Sequence, residues 1–387
     1  MKKKINQSIF FIKRILPIIA ILLSFSACKK KRTENDAIYK MDYKQAILDS
    51  RRELNNHLMT SFTPGISVSV SVDGEFVYSE GIGVASKELN VPTQRNTRFR
   101  IGNTSQIFTT YLIAKLQEQG LLNIDDSFYK YIPNFPKKRY DFTLRMLANQ
   151  VAGFPETTKN EIIENRESKS LKAYVSKYEN DSLVYEPNTY LLKSDYSIAL
   201  LGILAEDITK KKYDKLVHEM ILDTLHLENT SLDNPLIITP NRSEYYSRDY
   251  IARLINAPEV NLFPAAPAIG FLSTADDLNK ASQLIFKPGF LTQESINLFN
   301  EPYKLSSGQN INKSFGWLMM EDREGRKLIG QIGNTIGGSS AIVVYPEQKL
   351  VVSMCSNLGD EIEELPVLKI ANIFLEHLDP KEKVEEK

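Results

Sequence analysis

The sequence predicts an α/β fold in which one sheet is assembled from both ends of the chain and a mainly helical lobe is inserted between them. Three observations carry this. ISVSVSVDGEFVYSEGIGVAS at 66–86 alternates apolar and polar residues around Asp73-Gly74, the pattern of a β-hairpin. Strand patterns then return near the other end, at 315–320, 326–332 and 340–356. Between them, from 104 to about 300, helical periodicities are joined by Pro and Asn turns. Strands at both ends and helices in the middle place a sheet lobe at 41–125 and 300–378 and a helical lobe at 126–299, with a cleft between them.

Taken in order, residues 41–59 repeat apolar positions at helical spacing ahead of the hairpin. FRIGNTSQIFTTYLIAKLQEQGLL, from Phe99, reads as a short strand, a tight turn at Gly102 and a helix running to Gly120. Asn is a strong N-cap residue. Because Gln106 stands three residues after Asn103, the segment has the form of a reciprocal capping box and is expected to act as one. Long loops lie near 233–272, and a last helix is expected over about 361–378, followed by a tail at 379–387. No internal repeat or long low-complexity tract interrupts the chain.

A chain of 387 residues can bury a large core. Its 48 Lys and Arg balance 48 Asp and Glu, so no net basic charge points to nucleic acid as a partner. At the N-terminus, MKKKINQSIFFIKR precedes the apolar run ILPIIAILLSF, which is too short to span a bilayer as a mature helix. With Ser26 and Ala27 leading into Cys28, residues 1–27 resemble a bacterial lipoprotein signal, cleaved before a cysteine that then carries lipid. Phe25 departs from the Leu more usual there. KKKR after Cys28 keeps positive charge beside the membrane, and residues 28–40 read as a tether.

If Cys28 is the anchor, Cys355 has no disulfide partner. In the apolar pattern VVSMCSN it reads as a buried inert thiol. His57, His218, His226 and His377 are scattered without a pair at metal-ligand spacing, so no metal or other cofactor is expected.

Several segments stand in an order that resembles the serine β-lactamase and penicillin-binding protein superfamily, in its branch of β-lactamase-related hydrolases and esterases. FRIGNTSQIFTTYLIAKLQEQGLLNIDDSFYKYIPNF resembles the nucleophile helix and its exit, and TLRMLANQVAGF resembles a segment usually written T-I-R-H-L-L-T-H-T-S-G-L. PNTYLLKSDYSIALLGILAEDIT, PAIGFLSTADDL, SFGW and the stretch from Gly333 to Ser340 follow in the family's order. The resemblance covers about 45–378 and implies a β-lactamase/transpeptidase-like fold, an antiparallel sheet flanked by helices plus a mainly helical lobe.

It also implies where catalytic groups would stand. The family uses S-x-x-K, then Y-S-N or S-x-N, then H-x-G or K-T-G. Here the nucleophile position is Asn103, the lysine position Gln106, the tyrosine position Lys193, the asparagine position Asp195 and the histidine position Gln331. H-T-S-G is altered to Gln150-Val151-Ala152-Gly153. A carboxamide at 103 cannot begin acyl transfer, which needs a nucleophile that can lose a proton. Thr104 and Ser105 are the nearest hydroxyls, turned about 100° and 200° from residue 103 on a helix.

The expectation is therefore a catalytically inactive, membrane-anchored binding or regulatory protein of the bacterial envelope, periplasm-facing or surface-exposed. Its cleft candidates are Asn103, Lys193, Asp195, Gln331, Gly333, Asn334 and Trp317. Lys193 is expected to pair with Asp195 or an anionic ligand. The resemblance suggests a peptidoglycan fragment, a peptide or a protein as ligand. Two alternatives stay open: a hydrolase with a relocated catalytic set, and a scaffold that works through its surface.

Overall fold

A computed structural model describes residues 37–158, 169–359 and 365–379. The signal segment, Cys28 and most of the tether lie outside these residues, as does most of the C-terminal tail. Among the described residues no helix is long and apolar enough to cross a membrane.

The main sheet has nine strands. Eight of them are β1 (Ile38–Tyr39), β2 (Gly65–Val72), β3 (Glu75–Ser86), β4 (Lys313–Ser314), β5 (Trp317–Glu321), β6 (Lys327–Thr335), β7 (Gly338–Tyr345) and β8 (Leu350–Ser356), in the spatial order β1-β3-β2-β8-β7-β6-β5-β4. The ninth, Val91–Pro92, pairs with the end of β3. Every pairing within this sheet is antiparallel. The ends of the chain meet at β2 and β8, where Val68 faces Met354 and Val70 faces Val352. Asp73 and Gly74 take positive φ, 50° and 83°, as the tight turn of the β2–β3 hairpin requires. Ile38 and Tyr39, read from sequence as tether, instead pair with Ser79 and Tyr78. Two residues are too few for a strand pattern to show.

Five helices cover the sheet or frame the site: α1 (Lys44–Ser61), α2 (Gln106–Glu118), α3 (Asp195–Thr209), α4 (Ala275–Ser282) and α5 (Val367–Leu378). Both faces of the sheet are covered. One core joins Ile47 and Leu54 of α1 and Ile370 and Phe374 of α5 to Val68, Val70, Val343 and Val352. The other joins Phe108, Leu112, Leu200 and Leu278 to Ile342, Val344, Val351 and Cys355. Alternate residues of β7 and β8 thus enter opposite cores, as the two-residue period of a strand dictates.

The serines of β2 do not face water. Ser67, Ser69 and Ser71 are fully buried, and Ser71 donates to Asn279 of α4 at 2.6 Å. Helix α4, placed by sequence in the helical lobe, therefore packs on the sheet. Its Asn279 amide also reaches the carbonyls of Ser69 and Val351 at 3.2 and 3.1 Å.

Candidate functional site

The site is built where the chain turns into α2. Residues Gly102–Ser105 form a short 3₁₀ turn that lies against β6. Gly102 has φ +53°, and a Cβ there would stand 2.6 Å from the backbone of Asn334. From the other side, a Cβ on Gly333 would fall 1.9 Å from the Ile101 carbonyl. Both positions need glycine because the two backbones touch.

This contact aims Asn103 away from the sheet. Its Nδ2 donates to Oδ1 of Asp195, the first residue of α3, at 2.7 Å. Gln106 does not reach back to residue 103; its Oε1 accepts from Gln150 Nε2 at 3.3 Å. The N-cap of α2 is Ser105, with no side-chain cap bond. The expected capping box is thus absent. Its local pattern is overridden because the turn is 3₁₀ and a buried carboxylate 92 positions away competes for the amide.

Gln150 is the hub. It holds φ +57°, unusual for a residue with a side chain. Its Nε2 also points at the Ser194 carbonyl at 3.5 Å, and its Oε1 accepts from Lys313 Nζ at 2.5 Å. Asn149 beside it accepts from the Phe315 N–H at 2.8 Å, fixing the strand that delivers Lys313. Gln331 is turned aside, donating to the Gly316 carbonyl at 2.6 Å.

These groups are buried, not exposed in an open cleft. Asn103 and Asp195 are each 4% exposed, Gln331 5% and Lys313 7%. Burial raises the Asp195 carboxyl to about 6, against the opposing pull of Lys193, Lys313 and the Asn103 hydrogen bond, while Glu156 adds to the rise. Burial and the charge of Lys193 lower the Lys313 amine to about 7, and Asp195 opposes them. Lys193 is exposed and forms no ion pair with Asp195 or any other of the described residues. The expected Lys193–Asp195 pair is not made: Asn103 has taken the carboxylate, and Lys193 stays in solvent.

Trp317 is corrected as well. It is fully buried, 6.4 Å from the Tyr111 ring within the core, and does not line the site. Gly333 is buried under the turn and Asn334 is half-buried beside it. The neighbouring hydroxyls are committed elsewhere: Thr104 accepts from Ser340 at 2.8 Å, and Ser105 accepts from the Phe271 N–H at 3.2 Å. A cavity of about 740 Å³ opens instead beside Arg100, Tyr245 and Asn261.

The sequence reading missed Lys313. A lone lysine two residues ahead of F-G-W carries no local sign that it will be buried. Cys355 is fully buried, which pushes its thiol up, as its apolar setting implies. Among the described residues no three His, Cys, Asp or Glu gather to hold a metal. His218 contacts Asp223 at 3.1 Å and His377 packs on Tyr43.

The family model described as Beta-lactamase matches residues 53–373. The chain belongs to the beta-lactamase family. It is 26% identical to the mouse protein described as serine beta-lactamase-like protein LACTB, mitochondrial, over 78% of this chain and 73% of that one. It is 24% identical to Protein flp of Staphylococcus aureus, with 81% of this chain spanning 64% of that relative's length. Among solved structures, FmtA from S. aureus superposes with a TM-score of 0.74 at 19% identity, over 94% of both chains. The octameric penicillin-binding protein homologue from Pyrococcus abyssi also gives 0.74, at 22% identity, over 87% of this chain and 77% of that one. These likenesses establish the β-lactamase/transpeptidase-like fold.

Proposed function

We propose that this member of the beta-lactamase family is a lipoprotein of the bacterial cell envelope that binds a ligand without forming a covalent intermediate. One observation carries the reading. Asn103 stands at the turn where a serine would act, and its amide is satisfied by Asp195 at 2.7 Å. A carboxamide has no proton that a base at neutral pH can remove to make a nucleophile. The exposed Lys193 amine beside the site suits a ligand carrying a carboxylate, as a peptidoglycan fragment or a peptide does. The lipoprotein part rests on the signal pattern ending at Cys28, with the basic KKKR that follows it.

Turnover of nitrocefin and of p-nitrophenyl esters tests the first part. The expected result is no hydrolysis above a buffer blank. Turnover that survives further purification and is lost on mutating Thr104 or Ser105 would show that the chemistry has moved to a neighbouring hydroxyl.

A further inference from the structure

We infer that Asp195, with Lys313 behind it, is a general base poised on the side chain of residue 103, so that a hydroxyl placed there would meet a proton acceptor. The geometry comes first. A hydrogen on the residue-103 side chain points at a buried carboxylate oxygen across 2.7 Å, within the 2.6–3.2 Å reach of a nucleophile–base pair. The Asp195 backbone is held independently of residue 103. It opens α3, where the helix dipole favours negative charge, and the Asp195 backbone N–H donates to Thr157 at 3.1 Å.

Lys313 supplies the second observation. An ammonium has three donors. Among the described residues its only acceptor is Gln150, although the residue is 7% exposed. A purely structural polar cluster would satisfy such a cation. This one leaves it under-partnered beside Asp195, where it can offset the charge of the base or yield its own proton. The charged groups facing Asp195 are Lys193 on its own segment, Lys313 on β4 and Glu156 on the loop before the undescribed stretch. Their balance leaves a carboxyl near 6, a basicity suited to work at neutral pH.

Asn103→Ser tests this with p-nitrophenyl acetate. The serine Oγ–H proton passes to the Asp195 carboxylate, directly or through one water. The Oγ–C bond forms and the ester C–O bond breaks, releasing p-nitrophenolate and leaving an acetyl group on residue 103. The expected result is a stoichiometric burst whose rate rises with pH to a plateau with a midpoint near 6. Asp195→Asn in that background should slow the burst by about 10²- to 10⁴-fold. Lys313→Met should move the midpoint upward, because its charge holds the carboxyl down.

A folded Asn103→Ser protein with no burst, or an equal burst after Asp195→Asn, would overturn the inference. The native chain gives an independent reading should the serine variant fail to fold. The ¹³C carboxyl resonance of Asp195 should titrate near pH 6, and a midpoint below about 4 would also overturn it. Activity of the native chain itself is a separate matter and bears on the non-covalent binding reading instead.

Discussion

At the scale of a residue, Asn103 donates to the buried Asp195 carboxylate and Lys313 donates to Gln150. That position 103 carries a carboxamide is visible in the text of the chain, but the partner of that carboxamide is not. Asn-Thr-Ser-Gln looks like a cap because cap partners are local, whereas Asp195 arrives through the tertiary fold. Lys313 sits in a polar stretch that gives no sign of its burial. Both titrating groups make stability depend on pH, with directions fixed by their shifts. Asp195 has a folded value raised from 3.8 to about 6, so its ionisation opposes folding, and that penalty grows as pH rises from about 4 to 6. Lys313 is lowered from 10.5 to about 7, so its penalty grows as pH falls between those values. Asp195→Asn should therefore remove this downward contribution, so that melting temperature rises more steeply with pH between 4 and 6 than in the parent, as thermal scans in matched buffers would register. An unchanged slope would mean that Asp195 does not titrate in that window.

Elements were more legible than their faces. The β2–β3 hairpin and its turn follow directly from alternation around Asp73-Gly74. What alternation does not reveal is that the serine face is as buried as the valine face. That burial comes from α4, far along the chain, whose Asn279 bonds Ser71 and two strand carbonyls. Asn279→Ala removes four buried hydrogen bonds, the fourth accepted from Gln283, and leaves their partners without replacements. It should cost about 2–4 kcal/mol at roughly 1 kcal/mol or more per unsatisfied group. Denaturant unfolding would give this as a lower midpoint with an unchanged slope. A shift below about 0.5 kcal/mol would show that α4 is not pinned to the sheet by this residue.

For the whole molecule, strands at the two ends and helices between them were enough to anticipate that the ends pair into one sheet; that they meet at β2 and β8 came from the structure. The family resemblance supplied its antiparallel order and the positions to inspect. The closed, polar-filled site was not legible, because burial at Asn103, Asp195 and Lys313 depends on three distant segments converging. The proposed anchor belongs to this scale too. Cys28→Ala should release the chain from membranes, because Cys28 is the proposed point of lipid attachment. Retention of that variant in high salt would point to another mode of attachment. The central claim is that the native chain forms no acyl or phosphonyl intermediate. Intact-mass spectrometry of the purified protein after exposure to a fluorescent penicillin and to a fluorophosphonate tests it most directly. An unmodified mass with both reagents is the predicted result, and a stoichiometric adduct mapped to Thr104, Ser105 or another residue of the site would contradict it.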